Sequence, residues 1–459
     1  MSTTTTTTTA TSQVRLSPTQ LGICPGIKQC STETLEVANR LLQKNHDEYH
    51  IFWRDFAGHN HTAHNLLTRL ALGATAADLQ MGWDDNKRDQ RAAPPIDEAI
   101  VTELATEEGF YKHLGEGPQY TNYMVFFERE MEKKGWREVV NEYCFSQTRN
   151  ANLLLARLFD GAFHPIIHLG FGVEFDQPSI VAEGLAQAAT DVSFETDIFF
   201  LNAERIASET PMPEKPRNLV DLYHEAHDNE TIRTAARWDD RQWKMRDGVL
   251  KRAREEIAAL AAQFRVTPET LERRTAEMIS CAVYMAGAAQ RPGKAYKIDF
   301  FWMHDVTSSI FLSVFNRQDW ISVTDKCRLV EWKARLDLVW YATCGTAKLD
   351  AAYIKNYEGQ RSAQWDWDEL FGVVNSTHDD GHVAKVVRAL KNGQQASKQY
   401  EEDPEYADAF PVKGDMWMRM ARMTYDTTVD SAQEDKWIVF AGFDLPWAKI
   451  PEQANGLSK

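Results

Sequence analysis

The sequence predicts an all-α protein, a single large helical domain. Three observations predict it: apolar residues recur at helical spacing along most of the chain, strand-like alternation is scarce, and capping residues stand where the helical runs begin. With 459 residues there is ample material for a buried core, and 43% hydrophobic with 26% charged residues is the composition of a folded, water-soluble protein.

The elements follow in order. Residues 1–20 open with a threonine tract too poor in apolar side chains to order itself, so a disordered tail is expected there and one folded domain over 21–459. From Ser31 the run ETLEVANRLLQKNHDEYHIFW has helical spacing, with Ser31 and Thr32 as cap candidates. A second helix runs from His61 to Leu72 and stops at Gly73, and Thr75 with Asp78 starts a third as a capping box. Pro94, Pro95 and several glycines make 84–118 a surface loop with a short helix at Ile96 to Glu108. Helical patterns resume at Tyr123 to Lys133, Trp136 to Cys144 and Ser179 to Thr190. After a proline break at 210–216 they continue at 217–227, 240–265, 267–289, 299–315, 324–343, 380–391 and 413–423. No internal repeat divides them.

A net charge of −16 without a basic cluster argues against nucleic acid or an anionic membrane surface as partner. No apolar run reaches the roughly 20 residues of a membrane span, and the N-terminus lacks the regions of a secretion signal. Six cysteines without CxxC pairs fit neither a zinc ribbon nor a disulfide scaffold, so a cytoplasmic location is expected. The oligomeric state stays open.

Thirteen histidines are unevenly placed. His59, His61 and His64 share one segment, His164 and His168 a second, His304 stands in Phe-Trp-Met-His-Asp, and His382 in Asp379-Asp380-Gly381-His382-Val-Ala-Lys385. A helix opening at Asp379 and Asp380 puts His382 and Lys385 on one face with Val386 and Ala389. Each histidine taken singly is explained as a satisfied core residue, and Lys385 as a lysine reaching solvent. Together they read as a buried, histidine-rich metal site in a helix bundle. His46, His50 and His113 have polar neighbours and read as surface. His224 and His227 imitate a zincin, but their spacing is three where HExxH needs four. No GxSxG elbow, P-loop or complete dinucleotide fingerprint is present, so neither flavin nor NADPH has a binding motif, although NADPH as reductant stays open.

The segments His61-Thr-Ala-His64, Phe163-His-Pro-Ile-Ile-His168-Leu-Gly-Phe-Gly172, Met303-His304-Asp-Val-Thr307 and Asp379-Asp-Gly-His382-Val-Ala-Lys385-Val-Val-Arg388 follow one another in an order that resembles the questin oxidase-like family. The likeness runs from about residue 30 to Trp447. It implies a fungal-type enzyme of secondary metabolism that opens an anthraquinone or related aromatic polyketide ring with O2. It further implies a mononuclear Fe(II) held by histidines and a carboxylated lysine. Carried over, Lys385 is that lysine, its carbamate formed from CO2, and His64, His168, His304 and His382 are the imidazoles. His61, His164 and Asp305 are then left to hold a ligand or touch substrate. Which ring of His61/His64 and of His164/His168 reaches the metal stays open. Phe163, Phe171, Phe301, Trp302 and Met303 are the expected pocket wall. Two other readings compete: a metal-dependent hydrolase using a carboxylated lysine, and a non-catalytic helical binding protein whose histidines are core.

Overall fold

Buried apolar stripes become helices throughout. The computed structural model describes residues 10–453 apart from 56 and 215, and among these residues strand pairing is limited to isolated bridges such as Phe52 with His59 and Asp299 with Ile438. The all-α class is borne out. Chain contacts sort the helices into two compact units, Met1–Ser193 with His378–Gly381, and Phe194–Thr377 with His382–Lys459.

In the first unit, residues 1–9 of the expected tail lie outside the described residues. From Thr11 onward the chain is packed: Val14 and Leu16 are buried, and their N–H groups donate to Gln43 and Asn39. Both partners belong to α1 (Thr32–Glu48), which Ser31 caps by accepting from Thr34 N. Helix α2 (Thr62–Ala71) ends before Gly73, whose φ of +88° favours glycine, and α3 (Ala76–Asn86) opens on the expected Thr75/Asp78 capping box. Further on come α4 (Tyr120–Lys134), α5 (His164–Glu174) and α6 (Pro178–Thr190). Helix α6 lies between α4 and α5, and α2 touches α5. Every residue of α5 is buried, so it has no exposed polar face to set off an apolar stripe, and the sequence pattern does not mark it as a helix. Helices α5 and α6 come into near backbone contact at glycines: a Cβ at Gly184 would stand 2.6 Å from Leu169 N, and one at Gly172 2.6 Å from Val181 N.

The second unit contains α7 (Leu219–Asp228), α8 (Leu271–Ala288), α9 (Phe300–Asn316), α10 (Val323–Thr343), α11 (His382–Ser397) and α12 (Met416–Thr428). Helix α9 packs against α8, α10 and α11, and α11 against α8 and α12. Asp299 caps α9, accepting from Phe301 N at 2.8 Å and Trp302 N at 3.3 Å. Two expectations shift, and one helix forms that the sequence pattern does not mark. Helix α11 starts at His382 and not at Asp379, because Gly381 (φ +104°) breaks the turn and the Asp379 carboxylate accepts from Gly381 N instead. The stretch 240–265 breaks into short pieces, with the left-handed Arg241 (φ +53°) near its start. A helix at Thr196–Glu209 forms without any side-chain cap, which removes the start signal a sequence reader uses. Among the described residues no helix is long and apolar enough to cross a membrane.

Candidate active site

In the first unit, His64 and His168 come from the middle of α2 and α5, while His61 and His164 stand at their N-termini. The approach to His164 is unusual: Gly161, Ala162 and Phe163 have φ of +56°, +51° and +66°, a left-handed turn. For the two non-glycine residues that conformation costs about 1–2 kcal/mol each, and such strain tends to collect at functional sites. Here it turns the Gly161 carbonyl toward the ring it precedes, where it accepts from His164 Nδ1 at 2.6 Å. With Nδ1 donating, His164 Nε2 carries the lone pair, and it faces His61 Nε2 at 2.9 Å. His59 stacks on His164 with centroids 3.9 Å apart and is held by Asp191 at 2.8 Å.

A second pair lies one helical turn along. His64 Nε2 and His168 Nδ1 are 3.1 Å apart, and His168 Nε2 meets the Glu183 carboxylate of α6 at 2.6 Å. That carboxylate accepts in turn from His46 Nδ1 at 2.7 Å, and His46 Nε2 donates to Glu128 at 2.9 Å. Burial alone would keep His46 neutral, but the two carboxylates outweigh it and push its pKa up to about 10. Burial likewise works against ionised Glu183, yet its bonds from His168 and His46 bring it down to about 2. The surface reading of three histidines is corrected here: His46, His50 and His113 are 4%, 2% and 7% exposed. Their polar sequence neighbours belong to other faces, and buried partners such as Glu128, Glu183 and the stacked ring of Tyr120 on His50 come from distant segments.

The second unit holds its own pair. His304 Nδ1 donates to the Phe300 carbonyl at 2.7 Å, and its Nε2 faces His382 Nε2 at 3.2 Å with the rings nearly perpendicular. Phe300 packs against both rings. Lys385 lies one turn along α11 from His382 and is 4% exposed, so it is a buried lysine and not one reaching solvent. Asp305 is fully buried and joins the ion pair of Lys333 and Asp337 on α10; burial first, then the Asp337 charge, pushes its carboxyl well above the ordinary value while Lys333 opposes. His224 is exposed and His227 Nδ1 donates to the Thr346 carbonyl at 2.7 Å, so the zincin imitation resolves into surface and structural roles. Of the expected wall, Phe163, Phe171, Trp302 and Met303 are buried packing, with Phe171 stacked on His64, and Phe301 stacks on Trp340.

The sequence pattern of the questin oxidase-like family matches residues 58–390, a span that includes all three histidine pairs and Lys385. The chain belongs to the questin oxidase-like family. It is 52% identical over 440 residues to the Baeyer-Villiger oxidase ptaJ of Pestalotiopsis fici, covering 96% of this chain and 98% of that one. To the Baeyer-Villiger monooxygenase dmxR6 of Cryptosporiopsis sp. it is 50% identical over 97% of this chain and 100% of the relative. The questin oxidase of Aspergillus fumigatus is 48% identical over 96% and 99%. This questin oxidase-like chain is thus an oxidoreductase, as the resemblance implied. What the sequence reading missed in its site is the carboxylate support: Glu128, Asp191 and above all Glu183. Glu183 left a signal, being the lone acid in the apolar run from Ser179 to Thr190.

Proposed function

We propose that this protein is a non-heme iron oxygenase that cleaves a carbon–carbon bond of an anthraquinone or related aromatic polyketide. The oxidative, polyketide-directed part of this reading is supported by the family and by relatives named as questin and Baeyer-Villiger oxidases. The observation that supports a metal is the spacing of the ring nitrogens. Two imidazoles bound at right angles to one ion at about 2.1 Å place their nitrogens about 3.0 Å apart. The three pairs stand at 2.9, 3.1 and 3.2 Å. His164, His168 and His304 each bond a carbonyl or carboxylate through the other ring nitrogen, the arrangement that fixes tautomer and ring direction in metal-binding histidines.

The ligand set stays that of the sequence reading, His64, His168, His304, His382 and Lys385, with one amendment: His61 and His164 match it in spacing, and His164 in anchoring. Lys385 is buried, where an uncharged amine able to take up CO2 is favoured, and the resulting carbamate supplies the anionic oxygen that imidazoles lack. Iron, when bound, supplies the redox chemistry with O2 that side chains cannot. The chain's own part is to hold the rings rigid through Gly161, Glu183 and Phe300, and to keep water away with Phe171 and Phe300.

The test is turnover of a hydroxyanthraquinone or its hydroquinone by iron-loaded enzyme under labelled O2. A ring-opened product carrying label is expected, and turnover without metal or a product without label refutes the reading. Iron content of His164→Ala and His168→Ala decides between the two pairs: the ligand's loss empties the protein of iron, while loss of the other ring leaves it loaded.

A further inference from the structure

The second unit contains an open cleft of about 1050 Å3, at the upper end of the range for small-molecule sites. Tyr296, Tyr357, Trp437, Trp238, Leu445 and Lys297 are among the residues that line it. Two of these leave large apolar side chains in water: Trp238 is 40% exposed and Leu445 57%. Trp238 is nevertheless held in place. Phe443 meets it edge to face at 5.7 Å, and the buried Lys244 lies 4.9 Å over its ring while donating to its carbonyl at 2.8 Å. Tyr296 and Tyr357 meet edge to face at 5.4 Å, and Tyr357 OH is fixed on Asp426 at 3.0 Å. Rigid aromatic groups set around a concave surface are preorganised for a flat apolar ligand.

Trp437 carries the argument further. It is 8% exposed, and among the described residues its buried indole N–H has no acceptor. Its ring lies 6.4 Å from that of His382, edge to face. The segment it belongs to is bonded to the start of α9: Phe300 N donates to Ile438 O at 2.7 Å, Ile438 N to Ile298 O at 3.1 Å, and Ala441 N to Asp299 at 2.7 Å. One layer of side chain therefore separates the cleft from the His304/His382 pair. Lys297 adds a fixed cation, its Nζ donating to Asp435 O at 2.6 Å.

We infer that this cleft binds the flat hydroxylated aromatic substrate, with its rings against Trp238 and Trp437 and a phenol oxygen drawn to Lys297. The identity of the ligand class rests on the function proposed above; the cleft and its lining do not. Binding of alizarin, a dihydroxyanthraquinone, to the iron-loaded full chain is followed by quenching of tryptophan fluorescence and by its visible absorption. Trp437→Phe keeps an aromatic ring but gives up part of the flat surface the indole offers, and should weaken binding several-fold, up to about tenfold. Trp238→Ala changes an exposed side chain that the core does not need, and should weaken it by a similar factor. Both keep their iron, and Leu201→Ala, exposed elsewhere in the unit, binds as the parent does. Unchanged affinity in both tryptophan variants, or no alizarin binding by the parent, overturns the inference. Ring opening with labelled oxygen alongside unchanged affinities would leave the oxygenase standing and remove the cleft. Weakened binding without ring opening would do the reverse.

Discussion

Replacing His46 by leucine strips the cation from between Glu128 and Glu183, two carboxylates that it meets at 2.9 and 2.7 Å in the interior. The His46 pKa is raised above its ordinary 6.5 to about 10, so the folded state holds that proton more tightly than the unfolded chain does. Its stabilisation is therefore fully present below pH 6.5 and is lost as pH rises through about 10. At ~1.4 kcal/mol per pH unit the contribution is about 4–5 kcal/mol at pH 6 and falls to about 1–2 kcal/mol at pH 9, in line with the ~3–5 kcal/mol cost of breaking a buried ion pair. On the acid side Glu183 sets the limit. Its pKa is held down at about 2, so its share is present above 4.5 and is lost as pH falls through about 2. Urea unfolding of parent and His46→Leu at pH 6 and pH 9 measures the gap. A gap under about 1 kcal/mol at pH 6, or one of equal size at both pH values, refutes the charged His46 and with it the account of how α4 and α6 are tied through α1.

Gly184→Ala places a Cβ 2.6 Å from Leu169 N, so overpacking of about 1–3 kcal/mol should exceed the helix-propensity gain of about 1 kcal/mol, and urea unfolding that finds the variant as stable as the parent refutes the close approach of α5 and α6. Asp299→Ala removes the cap of α9 together with the acceptor for Ala441 N, and should cost about 2 kcal/mol or more in the same assay. Lys385→Ala should lose iron and activity together, while Lys385→Glu retains part of the iron because its carboxylate partly replaces the carbamate; full iron in Lys385→Ala, by elemental analysis, removes lysine from the ligand set.

Local rules read from the sequence determined a good deal of this protein. Gly73, the Thr75/Asp78 capping box and the edges of α6, α9 and α10 were legible because they depend on a few neighbouring residues and on apolar spacing. The family was legible because four short histidine-bearing segments keep their order along the chain. Helix α5 was not, since a helix buried all round has no stripe to read. Nor was the left-handed turn at 161–163, because Ala and Phe give no warning of a positive φ that only the surrounding packing enforces. The roles of the histidines were decided by tertiary structure for the same reason. An imidazole's partner is 103 residues away for His61 with His164 and 137 for His46 with Glu183, and no spacing rule reaches that far. Polar neighbours along the chain made His46 look exposed, whereas its protonation is set by carboxylates that folding brings to it, in an interior where charge interacts strongly because water is excluded.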